Sequence, residues 1–286
     1  MNAVPSSHWS RRKIIQAGLA SLICPFSSRA QSTAPSVRIL FLGNSYTYGN
    51  ELPEVVAALL RSSQVLEPQI GSYTQGGYKL AEHASDAQAM ALLKQGAPDG
   101  RPWDVLVVQE QSIVSAISAV NEEARRMMRS GLNRLVVAAR EANPRMLVVD
   151  FQVWARHERL WEQQKSDAFL TGGSSSDAHS RIRQQNAEAV NEVLQQIPEA
   201  NLLISPVGDF WKLVRETYPD LVLHSEDGTH PSILGTHLTG LVIAGTIGGR
   251  KVIEQATWIG SSRESEVKLL KAVLLDHPEV FRMAGK

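Results

Sequence analysis

Cysteine is nearly absent from this chain: Cys24 is the only one among 286 residues. A lone cysteine forms no internal disulfide, and no cysteine cluster of the zinc-binding kind can be built from it. Charge of either sign is not in excess. Lysine plus arginine numbers 29 and aspartate plus glutamate 29, for a formal net charge of zero. That balance argues against a general binder of nucleic acid or of anionic membrane surface, either of which carries a basic surplus. Aromatic residues are sparse at 6%. What remains is an ordinary globular composition, 43% hydrophobic and 20% charged. It suffices for one sizeable core and one domain.

The first thirty residues stand apart. SRRKIIQAGLASLICPFSSRAQS contains the pair Arg11–Arg12, then a short apolar run, then small residues. That order is the pattern of a twin-arginine export signal, with cleavage after Ala30. The bland alternative is a disordered basic tail. The apolar run is too short for an ordinary transmembrane helix. Ile23 is too large for the position before a lipoprotein cysteine, so Cys24 would leave with the signal. The expectation is residues 1–30 as signal and 31–286 as the working domain. The export machinery would be a partner, the location periplasmic or secreted, and the mature form free of membrane and nucleic acid. A mature chain without cysteine suits an oxidising compartment.

Within 31–286, four apolar runs read as buried strands: Val37–Leu42, Val105–Val108, Met146–Phe151 and Leu202–Ile204. None alternates polar with apolar, so both faces of the sheet are expected to be covered. Helical periodicity marks Leu52–Ser62, Asn121–Ala142, Ile182–Ile197 and Glu264–Leu275. On the second of these, Met127, Leu132, Leu135 and Val136 fall on the apolar side. Strand alternating with helix predicts an α/β fold, a parallel sheet between helical layers. Ligands bind such sheets at the carboxyl ends of the strands. Ser45, Gln109 and the residues after Phe151 lie there. A polar excursion, Arg156–Arg181, reads as a surface loop or a substrate-facing lid. Trp154, Arg156 and His157 at its start are candidate pocket-lining residues.

Two short blocks carry chemistry. LFLGNSYTYGN sets Ser45 where the first strand turns towards a helix, with Gly43 and Asn44 able to make the turn. HSEDGTHPS sets Asp227 three residues before His230, a spacing that lets a carboxylate meet the imidazole Nδ1. A serine hydroxyl is a nucleophile only when a base takes its proton, and an oriented histidine is the usual base. His224, His230 and His237 match no zinc spacing, so no metal and no cofactor is expected.

These blocks, in this order and at these ends of the chain, resemble the SGNH hydrolases, the GDSL-type esterases. That family has Gly-Asp-Ser after its first strand and Asp-x-x-His near its C-terminus; this chain has Gly43-Asn44-Ser45 and Asp227-Gly228-Thr229-His230. The resemblance implies a three-layer α/β/α sandwich around about five parallel strands. It also implies a triad of Ser45, His230 and Asp227. The oxyanion hole would use the N–H of Ser45 and that of a glycine after the second strand, Gly77 in SYTQGGYKL, with Gly76 beside it. The family's third donor is an asparagine in Gly-x-Asn-Asp. This chain has Gln109-Glu110-Gln111-Ser112 there, as a divergent branch does, and Gln109 is the expected donor with Gln111 second. The implied activity is hydrolysis of a carboxylic ester through an acyl-enzyme, with an acetylated carbohydrate or small-molecule ester as substrate. The alternatives are a lipase or thioesterase, and a carbohydrate-binding protein that has kept the fold without catalysis.

Overall fold

The computed structural model describes residues 34–163 and 172–283. The proposed export signal lies outside them, as do residues 164–171 of the polar excursion.

Five strands form one parallel sheet. They are β1 (Ser36–Gly43), β2 (Glu67–Thr74), β3 (Val105–Val108), β4 (Leu147–Phe151) and β5 (Leu202–Ser205), in the order β2-β1-β3-β4-β5. The helices in chain order are α1 (Ser45–Tyr48), α2 (Leu52–Ser63), α3 (Leu80–His83), α4 (Ala87–Gln95), α5 (Val114–Ile117) and α6 (Glu122–Ala142). After β4 come α7 (Arg159–Gln163) and α8 (Ser175–Gln196), and after β5 come α9 (Val207–Thr217), α10 (Ile233–Gly248), α11 (Arg250–Gln255), α12 (Glu264–Asp276) and α13 (Pro278–Met283).

Successive side chains of a strand point to opposite faces, and here both faces are apolar. Ile39 and Phe41 of β1, Val105 and Val107 of β3, and Val149 and Phe151 of β4 pack into the cluster that holds α2, α9, α10 and α12. Leu40, Leu42, Leu106, Val108 and Val148 pack into the other, with α4, α6 and α8. Two buried faces explain why the runs show no alternation, and they give the expected three layers.

Three local expectations are corrected. β2 was not among the apolar runs because it is an edge strand whose residues are mostly half-buried, so EPQIGSYT carries no apolar signature. The third predicted helix begins at Ser175, not Ile182: the Ser174 hydroxyl accepts the Asp177 N–H at 3.1 Å and caps it. Much of the supposed loop Arg156–Arg181 is therefore helical. On α6 the buried methionine is Met128, while Met127 is half-buried.

Candidate active site

β1 ends at Gly43, and the chain turns into a one-turn helix that starts at Ser45. Asn44 makes the turn. Its side-chain oxygen accepts the Tyr46 N–H at 3.2 Å, while its amide group donates to the Tyr78 carbonyl at 2.9 Å. The nucleophile turn is thereby tied to the loop after β2. A side chain at residue 43 has no room, because a Cβ there would lie 2.2 Å from Thr47 Oγ1 and 2.9 Å from Gln109 Oε1. The Gly43 carbonyl accepts the Gln75 N–H at 3.1 Å and lies 3.0 Å from Nε2 of the buried His83. Burial pushes the His83 imidazole down, so the neutral ring donates there.

The second half of the site comes from the loop between α9 and α10. His224 pairs with Pro231, and the Ser225 N–H donates to the His230 carbonyl at 2.9 Å. At the tip, Asp227 Oδ1 accepts N–H groups from Thr229 (2.7 Å) and His230 (2.9 Å) and the Ser225 hydroxyl (2.8 Å). Asp227 Oδ2 lies 2.5 Å from His230 Nδ1. His230 Nε2 lies 2.9 Å from Ser45 Oγ. With Nδ1–H given to Asp227, the lone pair of Nε2 faces the serine proton, the arrangement a general base requires. Burial pushes the Asp227 carboxyl up, but the Thr229 backbone, the His230 ring and backbone, and the Ser225 hydroxyl outweigh it. They hold the carboxyl well below the usual carboxylate range. Side-chain exposure is 43% for His230 and 48% for Asp227, so the triad opens directly to solvent.

The loop after β4 braces this tip. The Trp154 indole N–H donates to the Thr229 carbonyl at 3.0 Å, the His157 N–H donates to the Gly228 carbonyl at 2.9 Å, and Arg159 reaches the carbonyls of Ser225 and Glu226. Trp154 is 2% exposed, stacked between Tyr46 (4.6 Å) and Trp211 (3.9 Å). Tyr46 in turn meets the His230 ring edge-on at 5.3 Å. Trp154 is thus a support beneath the triad, and it also lines a small cavity of about 140 Å³ with Glu158, His179 and Arg215. Arg156 and His157 are half-buried on the same bracing segment.

Gly77 sits in a turn closed by the Tyr78 N–H on the Gln75 carbonyl at 3.2 Å. Its φ of +74° is the left-handed value that glycine takes without penalty. The N–H groups of Ser45 and Gly77 make no hydrogen bond to any described residue. Donors left unpartnered at the end of a sheet are what a developing oxyanion needs.

Gln109 departs from its expected role. It is fully buried, and its carbonyl oxygen accepts the Asn44 N–H (3.0 Å) and the Thr47 hydroxyl (2.9 Å). Because the Asn44 N–H can only donate, the amide oxygen must face it, and the amide nitrogen then turns to the Glu110 carbonyl. With both ends engaged, Gln109 is not the third oxyanion donor. It is a clasp that fixes the nucleophile turn onto β3. Gln111 keeps its amide nitrogen unengaged among the described residues, while its oxygen accepts the Ile113 N–H at 3.0 Å.

Sequence reasoning missed Glu110. It is 1% exposed, and one carboxyl oxygen accepts the N–H groups of Gln111 (2.6 Å) and Leu80 (3.3 Å), joining the loop after β3 to α3. Burial pushes its carboxyl up to about 8 and that of Asp150, on β4, to about 7. A charged residue flanked by glutamines just past a strand gives no hint that it is inward-facing.

No cluster of metal-ligating side chains occurs among the described residues. No family model matches the chain, and no curated protein is significantly similar to it. Solved structures are. A protein of Slackia heliotrinireducens classed with the SGNH hydrolases is 26% identical, over 74% of this chain and all of its own, with a TM-score of 0.56. A DUF4886 family protein of Bacteroides uniformis superposes with a TM-score of 0.63 at 17% identity, over 85% of this chain and 95% of its own. A GDSL-like lipase-class protein of Parabacteroides merdae gives 0.52 at 16%, over 76% and 97%. The last two speak for the fold alone.

Proposed function

This chain belongs to the SGNH hydrolase superfamily of serine ester hydrolases, and from that premise we propose that Ser45, His230 and Asp227 hydrolyse an acetyl ester of a carbohydrate. The observation that carries the reading is the relay of 2.9 Å from Ser45 Oγ to His230 Nε2 and 2.5 Å from His230 Nδ1 to Asp227.

Ser45 Oγ attacks the ester carbon as His230 Nε2 takes its proton. Asp227 orients the ring and stabilises the imidazolium. The carbonyl oxygen, now negative, settles against the N–H groups of Ser45 and Gly77. Each such donor contributes roughly 3–4 kcal/mol to a transition state of this kind. His230 returns the proton to the leaving alcohol. It then activates water, which releases the acid and restores Ser45.

Two features support a bulky, hydroxyl-rich alcohol with a short acyl group. The triad is about half exposed, so a large alcohol reaches it without passing through a channel. Its surroundings are polar, with Thr229, Ser225 and Asn50 close to the catalytic loop. We further propose that residues 1–30 direct export by the twin-arginine route; replacing Arg11 and Arg12 by lysine should then block export, and unchanged export would dismiss it.

The test of the catalytic reading is a fluorophosphonate probe together with p-nitrophenyl esters of increasing chain length. Labelling at Ser45 that disappears in His230→Ala, with acetate the preferred acyl group, is expected. Preference for long chains would turn the reading towards a lipase. No labelling would favour a carbohydrate-binding protein.

A further inference from the structure

Every half-buried arginine among the described residues but one has an oxygen partner. Arg125 donates to the carbonyls of Ser118 and Ala119, Arg140 pairs with Glu199, and Arg215 pairs with Glu158. Arg156 is the exception: its guanidinium makes no hydrogen bond and no ion pair with a described residue. Its Nε is closed off from solvent, while the two terminal nitrogens keep accessible surface. The carboxylates around it are already used, Glu158 by Arg215 and Asp227 by the donors of its own loop. Taking a charge partly out of water without a counter-charge is unfavourable. The fork of Arg156 therefore calls for an anion from outside the chain.

Arg156 stands beside the triad. It lies between Trp154, bonded to the Thr229 carbonyl, and His157, bonded to the Gly228 carbonyl. Its backbone is thus strapped along the loop that carries Asp227 and His230, and the Ser175 hydroxyl holds its carbonyl at 2.7 Å from the other side. Its charge acts on the hydroxyl of Tyr46, the residue after the nucleophile. Burial pushes that phenol up, and the Ser112 hydroxyl, the Arg156 guanidinium and the Thr229 hydroxyl hold it back. Thr229 Oγ1 in turn lies 3.1 Å from His230 Nδ1. The loop after β3 adds neutral donors, the Ser112 hydroxyl beside Tyr46 and the Gln111 amide nitrogen, which no described residue engages. All of these follow the carboxyl ends of β3 and β4.

From this we infer that Arg156, with Ser112, forms a subsite for a carboxylate carried by the ester that Ser45 cleaves. A guanidinium is a fork of donors with no acceptor, matched to the two oxygens of a carboxylate. One positive charge among neutral donors suits a singly charged carboxylate better than a dianionic phosphate. That the carboxylate belongs to an ester rests on the esterase reading above; that the site prefers an anion is measured without turnover.

Two pairs of esters place the charge on either half of the substrate. Mono-p-nitrophenyl adipate against p-nitrophenyl hexanoate sets a carboxylate on the acyl half. Peracetylated methyl glucuronide, its carboxyl free, against the corresponding uronamide sets it on the alcohol half. In one pair kcat/KM should favour the anion by about tenfold or more, the worth of a hydrogen-bonded charge, and that pair identifies the half. The preference should shrink as salt rises. It should collapse in Arg156→Gln and return in part in Arg156→Lys, which restores the charge without the fork. A merely structural role would lower both members of a pair together and leave their ratio alone. The comparison within each pair needs no variant, so it stands even where a substitution unfolds the chain. Ser45→Ala protein, titrated calorimetrically with the four compounds, should rank them in the same order. No anion preference in either pair, or a preference unchanged in Arg156→Gln, overturns the subsite. Anion preference in binding without hydrolysis of any ester by the intact protein would discard the esterase reading and leave the subsite standing. Hydrolysis without anion preference would do the reverse.

Discussion

Replacing Gln109 by leucine separates two explanations of how the altered third block works. The side chain is fully buried and makes three hydrogen bonds: it accepts from the Asn44 N–H and the Thr47 hydroxyl and donates to the Glu110 carbonyl. Leucine has similar volume and none of these bonds. Asn44 and Thr47 are 2% and 1% exposed, so water cannot replace the lost acceptor. Leaving a buried polar group unpaired costs about 1–3 kcal/mol. The Thr47 hydroxyl can rotate to another acceptor, but the Asn44 N–H and the Glu110 carbonyl cannot. A total of about 3–4 kcal/mol is expected, a large share of the ~5–15 kcal/mol of a typical domain. At ~2–4 °C per kcal/mol for a domain of this size, the melting temperature should fall by about 10 °C. Hydrolysis of p-nitrophenyl acetate, measured well below the new melting point, should fall with it, because the turn that holds Ser45 is loosened. Gln109→Glu gives a second readout. Protonated, the carboxyl can reproduce all three bonds; ionised, it sets a charge against the Glu110 carbonyl. Its folded pKa is therefore raised, so its stability is fully present below about pH 4 and is lost as pH rises through the folded value. A kcat reduced a hundredfold or more in Gln109→Leu, with melting temperature moved by less than about 2 °C, would refute the clasp. It would restore Gln109 as an oxyanion donor.

Asp227→Asn should reduce kcat by up to ~10⁴-fold, because an amide no longer fixes the imidazole tautomer; a loss below tenfold in the p-nitrophenyl acetate assay would remove Asp227 from the triad. Gly77→Ala should cost about 1–2 kcal/mol for a left-handed alanine, since a Cβ there meets nothing within 4 Å, and kcat should drop further than thermal stability does. Asn44→Asp should lower the melting temperature, because the amide that donates to the Tyr78 carbonyl becomes a carboxylate that cannot. Glu110 and Asp150 have folded pKa values raised to about 8 and about 7. Their stabilising contribution is therefore whole below about pH 4 and lost as pH climbs through 7 to 8. Melting temperature should fall between pH 5 and pH 9, and Glu110→Gln with Asp150→Asn should flatten that fall.

Apolar runs disclosed four of the five strands because a strand covered on both faces has little choice of residue. β2 escaped because an edge strand is free to be polar. The first and last blocks were legible since a glycine turn before serine and Asp-x-x-His are local patterns, and the structure brings their side chains to hydrogen-bonding distance across 185 positions. The middle block was not legible. Whether an amide nitrogen faces the oxyanion or a backbone carbonyl depends on a partner N–H at Asn44, 65 positions away. The same holds for Trp154, which reads as an exposed loop aromatic until Tyr46 and Trp211 close on either side.

The separation of 185 positions between nucleophile and base also makes turnover a report on the whole chain. The strand that leads to Ser45 lies inside the sheet, between β2 and β3, while its base sits on a loop that follows every strand. No fragment that stops short of that loop holds both halves of the relay. A truncated chain that keeps the circular dichroism of the sheet should therefore be silent in the ester assay until the piece carrying His230 is restored.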